Sequence, residues 1–280
     1  SDLLQHVLSV SDRYDIPLNI RGCGHSFGDQ GMSQGILLSV DINDSTPSLL
    51  PCNSVKASAF QTWMTMEYMT RKYGRRFPIL TRHPNTTIGG TLAVGGYGDE
   101  SFKYGSQASN IDSYEIITPN GDAVHCSEKQ NSELYHYGLT SLGMLGLVSE
   151  IKFKSIPVKK QCYVNQFGFL HMKELVKFIQ ELDNNVLDCI ETLTAQYFEG
   201  YFYLNLTQDS LYGHNVIMSI AKMDRRIIKI IDYQDGTHST RTFTIDRYGI
   251  WSDHNINVWN DYCVCEKNAD YFADVIDDLV

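Results

Sequence analysis

The stretch Gly22-Cys23-Gly24-His25-Ser26-Phe27-Gly28 sets an imidazole, a thiol and a hydroxyl among closely spaced glycines. Residues without a Cβ reach positive φ without strain, so successive backbone N–H groups can turn inward around an anion such as a pyrophosphate. The stretch lacks the Gly-Lys-Ser/Thr of the Walker loop and the acidic ribose-binding residue of the dinucleotide fingerprint. The same residues would also suit a plain tight turn carrying a surface histidine. A second glycine-rich stretch, Ile88-Gly89-Gly90-Thr91-Leu92-Ala93-Val94-Gly95-Gly96-Tyr97-Gly98, is too apolar for a flexible linker. Its glycine content argues against a stable helix, so it is predicted to be ordered by whatever it touches.

Composition narrows the partners. The 280 residues carry a formal net charge of -10, with 42% hydrophobic and 20% charged residues. A balance so acidic, without a basic cluster, is unsuited to phosphate backbones and anionic membranes, so no nucleic-acid partner is expected. No run of about 18 apolar residues could cross a bilayer, so no membrane insertion is expected and a soluble protein follows. Cys23, Cys52, Cys126, Cys162, Cys189, Cys263 and Cys265 are odd in number and scattered, which indicates neither a disulfide framework nor a metal site. Cys263 and Cys265 would point to opposite faces of a strand. Sequons at Asn43, Asn85 and Asn205 would matter only in a secreted protein, and the compartment stays open between cytoplasmic and secreted.

The elements that must position these groups alternate along the chain. Leu3, Leu4, Val7 and Leu8 form the stripe of an opening helix that Pro17 ends, and Leu18–Arg21 reads as a strand feeding the first glycine stretch. Strands follow at Ile36 to Asp41 and Val55 to Phe60, then a helix from about Gln61 to Tyr73 that Gly74 terminates. Tyr114 to Thr118 and Ala123 to Cys126 read as a hairpin around Asn120-Gly121, and Asn131 to Tyr137 as a short helix. Gly143 and Gly146 lead into a strand over Leu147 to Lys154. A first domain is expected to end near Pro157. Beyond it, a helix near Lys173 to Leu182 and an aromatic strand, Tyr197 to Leu204, describe a second domain. The fold class read from this pattern is α+β.

The whole block Ile16 to Gln30 resembles the flavin-binding segment of the vanillyl-alcohol oxidase family, whose FAD-binding domain is of the PCMH type. Thr87 to Gly98 is similar to that family's second FAD segment, and Tyr104 to Ile111 to the stretch after it. Gly121 to Ser127, Asn131 to Tyr135 and Ser141 to Val148 complete the pattern in the same order, so the resemblance covers essentially residues 1–157. It implies a two-part FAD-binding domain over 1–157 and an α+β substrate (cap) domain over 158–280, apparently incomplete. It further implies an FAD-dependent oxidoreductase that takes hydride from a C–H bond next to nitrogen or oxygen, with oxygen or another acceptor reoxidising the flavin.

The resemblance also implies roles residue by residue. His25 would tether the flavin covalently. Gly22, Cys23, Gly24, Ser26 and Gln30 would hold the pyrophosphate and nearby groups; Thr87, Gly89, Gly90, Ala93 and Tyr97 would line the flavin; Val148 would meet the adenine end through its backbone. Within the family the pattern is most like cytokinin dehydrogenases, where Tyr197 to Asn205 matches a strand whose Glu-Gly pair carries a pocket carboxylate, here Glu199. Two departures stand out. Arg82 occupies the position of the aspartate base, for which His83 is a substitute because imidazole titrates near neutral pH; a hydrogen-bonded structural histidine is the plainer reading of His83. The chain also lacks the family's return to the FAD domain after the substrate domain, so a fragment or a reduced homologue is expected. No cysteine precedes Thr87 where doubly tethered relatives carry their second bond, which leaves a single histidyl link. A sugar or aldonolactone oxidase, and a flavin-binding homologue without turnover, are the alternative functions.

Overall fold

The computed structural model describes residues 2–26, 28–39, 46–81, 83–159, 163–198, 200–208, 210–233 and 269–279. The chain divides into two compact units, Ser1–Val158 and Lys159–Val280.

Unit 1 opens with α1 (Asp2–Arg13), followed by β1 (Leu18–Arg21), which pairs in parallel with β2 (Ile36–Ser39). The first glycine stretch is therefore the start of the connection between two parallel strands. The centre of the unit is a five-stranded antiparallel sheet in the order β3 (Ser48–Leu49), β4 (Ser54–Ser58), β8 (Leu147–Lys154), β6 (Ile111–Ile117), β7 (Ala123–Ser127). A two-stranded sheet pairs β5 (Arg75–Arg76) with β9 (Ile156–Pro157). Strand alternation follows side-chain type: Val55 and Ala57 of β4 face the core, while Lys56 faces out and pairs with Glu150 at 2.7 Å. In β8 the buried positions Val148 and Ile151 are three apart, and the register against β6 slips between Glu115 and Ile116. That bulge explains why the apolar spacing of this strand departs from strict alternation.

Helix α2 (Trp63–Arg71) packs its buried Trp63 and Met66 on this sheet. The Trp63 and Phe77 rings lie 4.7 Å apart, and Phe77 meets Phe153 of β8 edge-on at 4.6 Å. Each such ring, fully buried, contributes about 1.5–3 kcal/mol by area removed from water. The Thr62 hydroxyl caps α2 by accepting from Thr65 N–H at 3.2 Å, as its place before the first helical residue requires. The second glycine stretch begins with a one-turn helix, α3 (Ile88–Leu92), contrary to the expectation of a non-helical segment. Tertiary packing overrides propensity here: Ile88 and Leu92 are fully buried, and the Trp63 indole donates to Thr91 Oγ1 at 2.6 Å. The short α4 (Ser101–Tyr104) follows. Just before it, Glu100 pairs with Arg76 at 3.2 Å with both side chains almost wholly buried, and accepts from Leu80 N–H. A buried pair repays its desolvation only with such extra bonds, and its effect here is to fix the 76–80 segment against the end of the glycine stretch. Helix α5 (Ser132–Gly138) completes the unit beside β6 and β7.

Unit 2 is a four-stranded antiparallel sheet in the order β11 (Ile190–Phe198), β12 (Tyr201–Gln208), β10 (Tyr163–Phe169), β13 (Lys229–Tyr233). The aromatic run expected as one strand is a hairpin: β11 and β12 break at Gly200, whose φ of 82° makes the turn. Phe202, Leu204 and Leu206 of β12, with Phe167 and Phe169 of β10, form an apolar face. It meets α6 (Met172–Gln180), through Leu175 and Phe178, and α8 (Leu211–Met223), through Ile217 and Ala221. Between them lies α7 (Asn184–Asp188). The opposite face is polar. Gln166 donates to Asn205 Oδ1 at 2.8 Å, Thr192 and Thr207 share a hydrogen bond at 2.5 Å, and Lys229 Nζ donates to the Tyr203 hydroxyl at 3.0 Å.

Helix α6 has no side-chain cap of its own, and α9 (Ala269–Leu279) supplies one. The Asp277 carboxylate accepts from Met172 N–H at 2.6 Å and Lys173 N–H at 3.0 Å, satisfying donors that a helix start leaves orphaned. Asp277→Ala is expected to lower the stability of unit 2 by about 1 kcal/mol, the usual value of a lost N-cap. Chemical denaturation followed by a probe in unit 2 checks this. An unchanged midpoint would show that α9 does not hold α6.

Candidate cofactor site

Two short segments, far apart in sequence, meet at Thr87. The first leaves β1 at Gly22 and turns through Gly24 (φ 73°) and Gly28 (φ 79°). Its base is closed by Asn19, whose side-chain amide donates to the carbonyls of Gln30 at 2.9 Å and Met32 at 2.8 Å. The Arg21 guanidinium lies against Gly24, where an added Cβ would come within 2.5 Å of it. The second segment is anchored to the corner between β4 and α2: Gly89 N–H donates to Ala59 O, Ile88 N–H to Gln61 O, and Trp63 N–H to Thr86 O. Thr87 is thereby buried at a fixed place.

Thr87 accounts for two of the glycines. A Cβ on Gly22 would stand 2.2 Å from Thr87 Oγ1, and one on Gly90 would stand 2.7 Å from the same atom. Gly89 is the next close approach, 3.3 Å from the Ala59 carbonyl and 3.7 Å from the Val148 carbonyl by the same measure. Val148, at the start of β8 and nearly buried, is thus brought to the segment through its backbone. Cys23 is half-buried beside Thr87. Burial pushes its thiol above the ordinary cysteine range, opposed by a backbone hydrogen bond with Thr87. It stays a protonated, inert thiol near neutral pH.

The open side of this seam carries the remaining expected residues. Gly24, His25, Ser26, Gln30 and Gly90 are exposed, Tyr97 is 55% exposed and Ala93 is half-buried. The backbone N–H groups of Gly24, His25 and Ser26 have no acceptor among the described residues. Donors left open on a glycine loop are what an anion would satisfy. His83 is brought to the same place: its ring lies over that of His25, with centroids 6.0 Å apart and planes 17° from parallel. Its ring is exposed and makes no hydrogen bond among the described residues, which offer no partner for the reading of His83 as a hydrogen-bonded structural histidine. Its placement comes from its carbonyl, which accepts from Thr86 N–H, Thr86 Oγ1 and Thr81 Oγ1. Glu199 and Arg82 lie outside the described residues, as do Cys263 and Cys265.

A third segment, 139–148, belongs to the seam although only Val148 in it was singled out as a site residue. The 139–146 loop docks on the end of α3, with Thr140 N–H donating to Leu92 O at 2.9 Å and Leu142 N–H to Ala93 O at 3.0 Å. Thr140, Leu142, Gly143 and Gly146 all have positive φ, which is uncommon for the two that carry side chains. The loop presents Leu142 and Met144 at 67% and 74% exposure, which makes an apolar lip beside the seam. The signal in the sequence was the paired glycines enclosing Met144 and Leu145. Among the described residues no group of His, Cys, Asp and Glu could hold a metal ion, and no helix is long and apolar enough to cross a membrane.

The residues present therefore fit a cofactor that is anionic at one end and flat and apolar at the other. Comparison with known proteins agrees. Residues 1–127 match the FAD binding domain family. The chain is 31% identical to cytokinin dehydrogenase 9 of Oryza sativa subsp. japonica over 73% of its own length and 39% of that protein's. It is 30% identical to cytokinin dehydrogenase 1 of Arabidopsis thaliana, over 56% of this chain and 28% of that one. An uncharacterized oxidoreductase in the fasciation locus of Rhodococcoides fascians is 32% identical over 52% of this chain and 33% of its own. The chain thus spans well under two thirds of the length of these relatives. Residues 1–127 are thus an FAD binding domain, and the chain is similar to the FAD-linked oxidases and, among them, to the cytokinin dehydrogenases.

Proposed function

We propose that unit 1 holds FAD along the seam at Thr87, that His25 carries the flavin covalently, and that the whole protein is an FAD-dependent oxidoreductase acting on a small molecule. The observation that carries this reading is the pair of close approaches of Gly22 and Gly90 to Thr87, beside the open N–H groups of Gly24, His25 and Ser26. When bound, the flavin accepts hydride at N5 from a C–H bond next to nitrogen or oxygen and later gives the electrons to oxygen or another acceptor.

In this reading the residues of the chain bind, orient and exclude. Gly22, Gly24, Ser26 and Gln30 hold the pyrophosphate through backbone and side-chain donors. Thr87, Gly89, Gly90, Ala93 and Tyr97 line the flavin, Val148 meets the adenine end through backbone atoms, and the Leu142 and Met144 lip keeps water from the apolar part. Of the two nucleophilic groups in the first segment, Cys23 is set aside by burial, which keeps its thiol protonated, while His25 stands exposed with an unbonded ring. That contrast favours the imidazole as the attachment point.

The substrate class follows from unit 2. The polar face of its sheet, with Gln166, Asn205, Thr207 and Tyr203 buried on it, supports a substrate bearing hydrogen-bonding groups. The relatives are named as dehydrogenases of cytokinins. Arg82 stands where those enzymes carry an aspartate, so the cytokinin itself is set aside and the class is kept: a small molecule with a C–H bond beside nitrogen or oxygen.

Purified protein is expected to be yellow and to keep that colour in the pellet after acid precipitation, whereas His25→Ala should bind FAD and lose it to the supernatant. Colour in the wild-type supernatant would remove the covalent bond and leave the FAD site; a protein that takes up no FAD would remove the whole reading. Gly22→Ala should weaken FAD binding about tenfold or more, the factor that ~1.4 kcal/mol of overpacking produces. Titration of the apoprotein with FAD measures it. Bleaching of the bound flavin by amine or sugar substrates separates turnover from a binding protein without chemistry.

A further inference from the structure

The turn carrying His83 holds its backbone in one place. The His83 carbonyl accepts from Thr86 N–H at 3.1 Å, Thr86 Oγ1 at 2.8 Å and Thr81 Oγ1 at 3.3 Å. The next carbonyl, of Pro84, accepts from Met64 N–H at 2.7 Å at the first turn of α2. His25 is held from the other side by the Asn19 and Arg21 contacts that close its loop. Two backbones fixed separately thus place two imidazoles ring over ring at 6.0 Å, both exposed and neither hydrogen-bonded among the described residues. With one face toward His83, the His25 ring has a restricted set of directions for its nitrogens. Both rings face the same solvent, so water beside them can carry a proton from one imidazole to the other.

We propose that His83 is a positioning residue for covalent attachment: it orients the His25 ring and takes up the proton that His25 releases when it bonds to the flavin 8-methyl carbon. The proposal rests on the reading of His25 as the tether. In the step, the imidazole N–H bond of His25 and one methyl C–H bond break, and one N–C bond forms. The two electrons and the methyl proton remain with the flavin ring, while the His25 proton leaves through His83; dioxygen then takes the two electrons with the ring proton and one proton from solvent, and departs as hydrogen peroxide. His83 acts as a neutral imidazole whose accepting nitrogen relays the His25 proton to solvent. It is neither consumed nor bonded to the flavin.

The test uses protein expressed under riboflavin starvation, mixed with FAD in aerated buffer. Total bound flavin is read by fluorescence and acid-stable flavin by precipitation over time. His83→Ala is expected to bind FAD while gaining acid-stable flavin at least ~10²-fold more slowly than wild type, the low end for loss of a general base. Added imidazole should restore part of that rate, which a merely structural role would not allow. Covalent flavin forming in His83→Ala at the wild-type rate would overturn the proposal and leave the tether standing. Wild-type protein that binds FAD only reversibly would remove the tether and this proposal together. Where His83→Ala takes up no FAD, His83→Gln decides by the same rate criterion: slow attachment with normal binding supports the proposal, and wild-type attachment overturns it.

Discussion

The approach of two backbones on either side of one threonine governs unit 1. Thr87 can lie against both Gly22 and Gly90 only because neither has a Cβ, and every neighbouring element serves to keep it there. The corner between β4 and α2 holds it through Ala59, Gln61 and Trp63, and the aromatic contacts of Trp63, Phe77 and Phe153 bury that corner in the core. Among the described residues, the N–H groups of Gly24, His25 and Ser26 in the same loop stay open. A loop so poor in internal bonds is stable only when its base is fixed, and Asn19 fixes it.

Much of this was legible in the residues, for local reasons. Strand β8 keeps the bounds read from its apolar positions, and the hairpin of β6 and β7 was marked by its Asn-Gly turn. The glycine segments announced themselves because positive φ and close approach have a compositional signature. What stayed hidden was long-range. Nothing near Ile88 in the chain says that a one-turn helix will form there, since the packing of Ile88 and Leu92 supplies its stability. The cap on α6 comes from Asp277, near the end of the chain. The neighbourhood of His25 and His83 likewise depends on two loops being brought together, and no periodicity records it. The aromatic run of unit 2 was read as one strand because its residues all suit a sheet; Gly200 in its midst was the turn signal that outweighed them.

Unit 2 shows a division of labour across one sheet. Its apolar face is covered by α6 and α8 and accounts for its stability, while its polar face buries amides and hydroxyls that pair only partly with one another. Among the described residues the Asn205 side-chain nitrogen is buried without a hydrogen-bond partner, although its oxygen accepts from Gln166. Such a donor is costly in a dry interior, by about 1–3 kcal/mol, and is retained in proteins where a ligand or a bound water completes it.

The central claim is that the first glycine segment binds the cofactor by its anionic end. The most direct test compares FAD with riboflavin, which shares the ring and lacks the pyrophosphate and the adenosine, and with FMN, which regains one phosphate alone, on apoprotein of the His25→Ala variant. The account predicts that FAD binds, that riboflavin binds at least ~100-fold more weakly, the factor that about 2.7 kcal/mol of lost phosphate contacts produces, and that FMN recovers part of that loss. Equal affinity for FAD and riboflavin would contradict it and place the recognition in the ring alone.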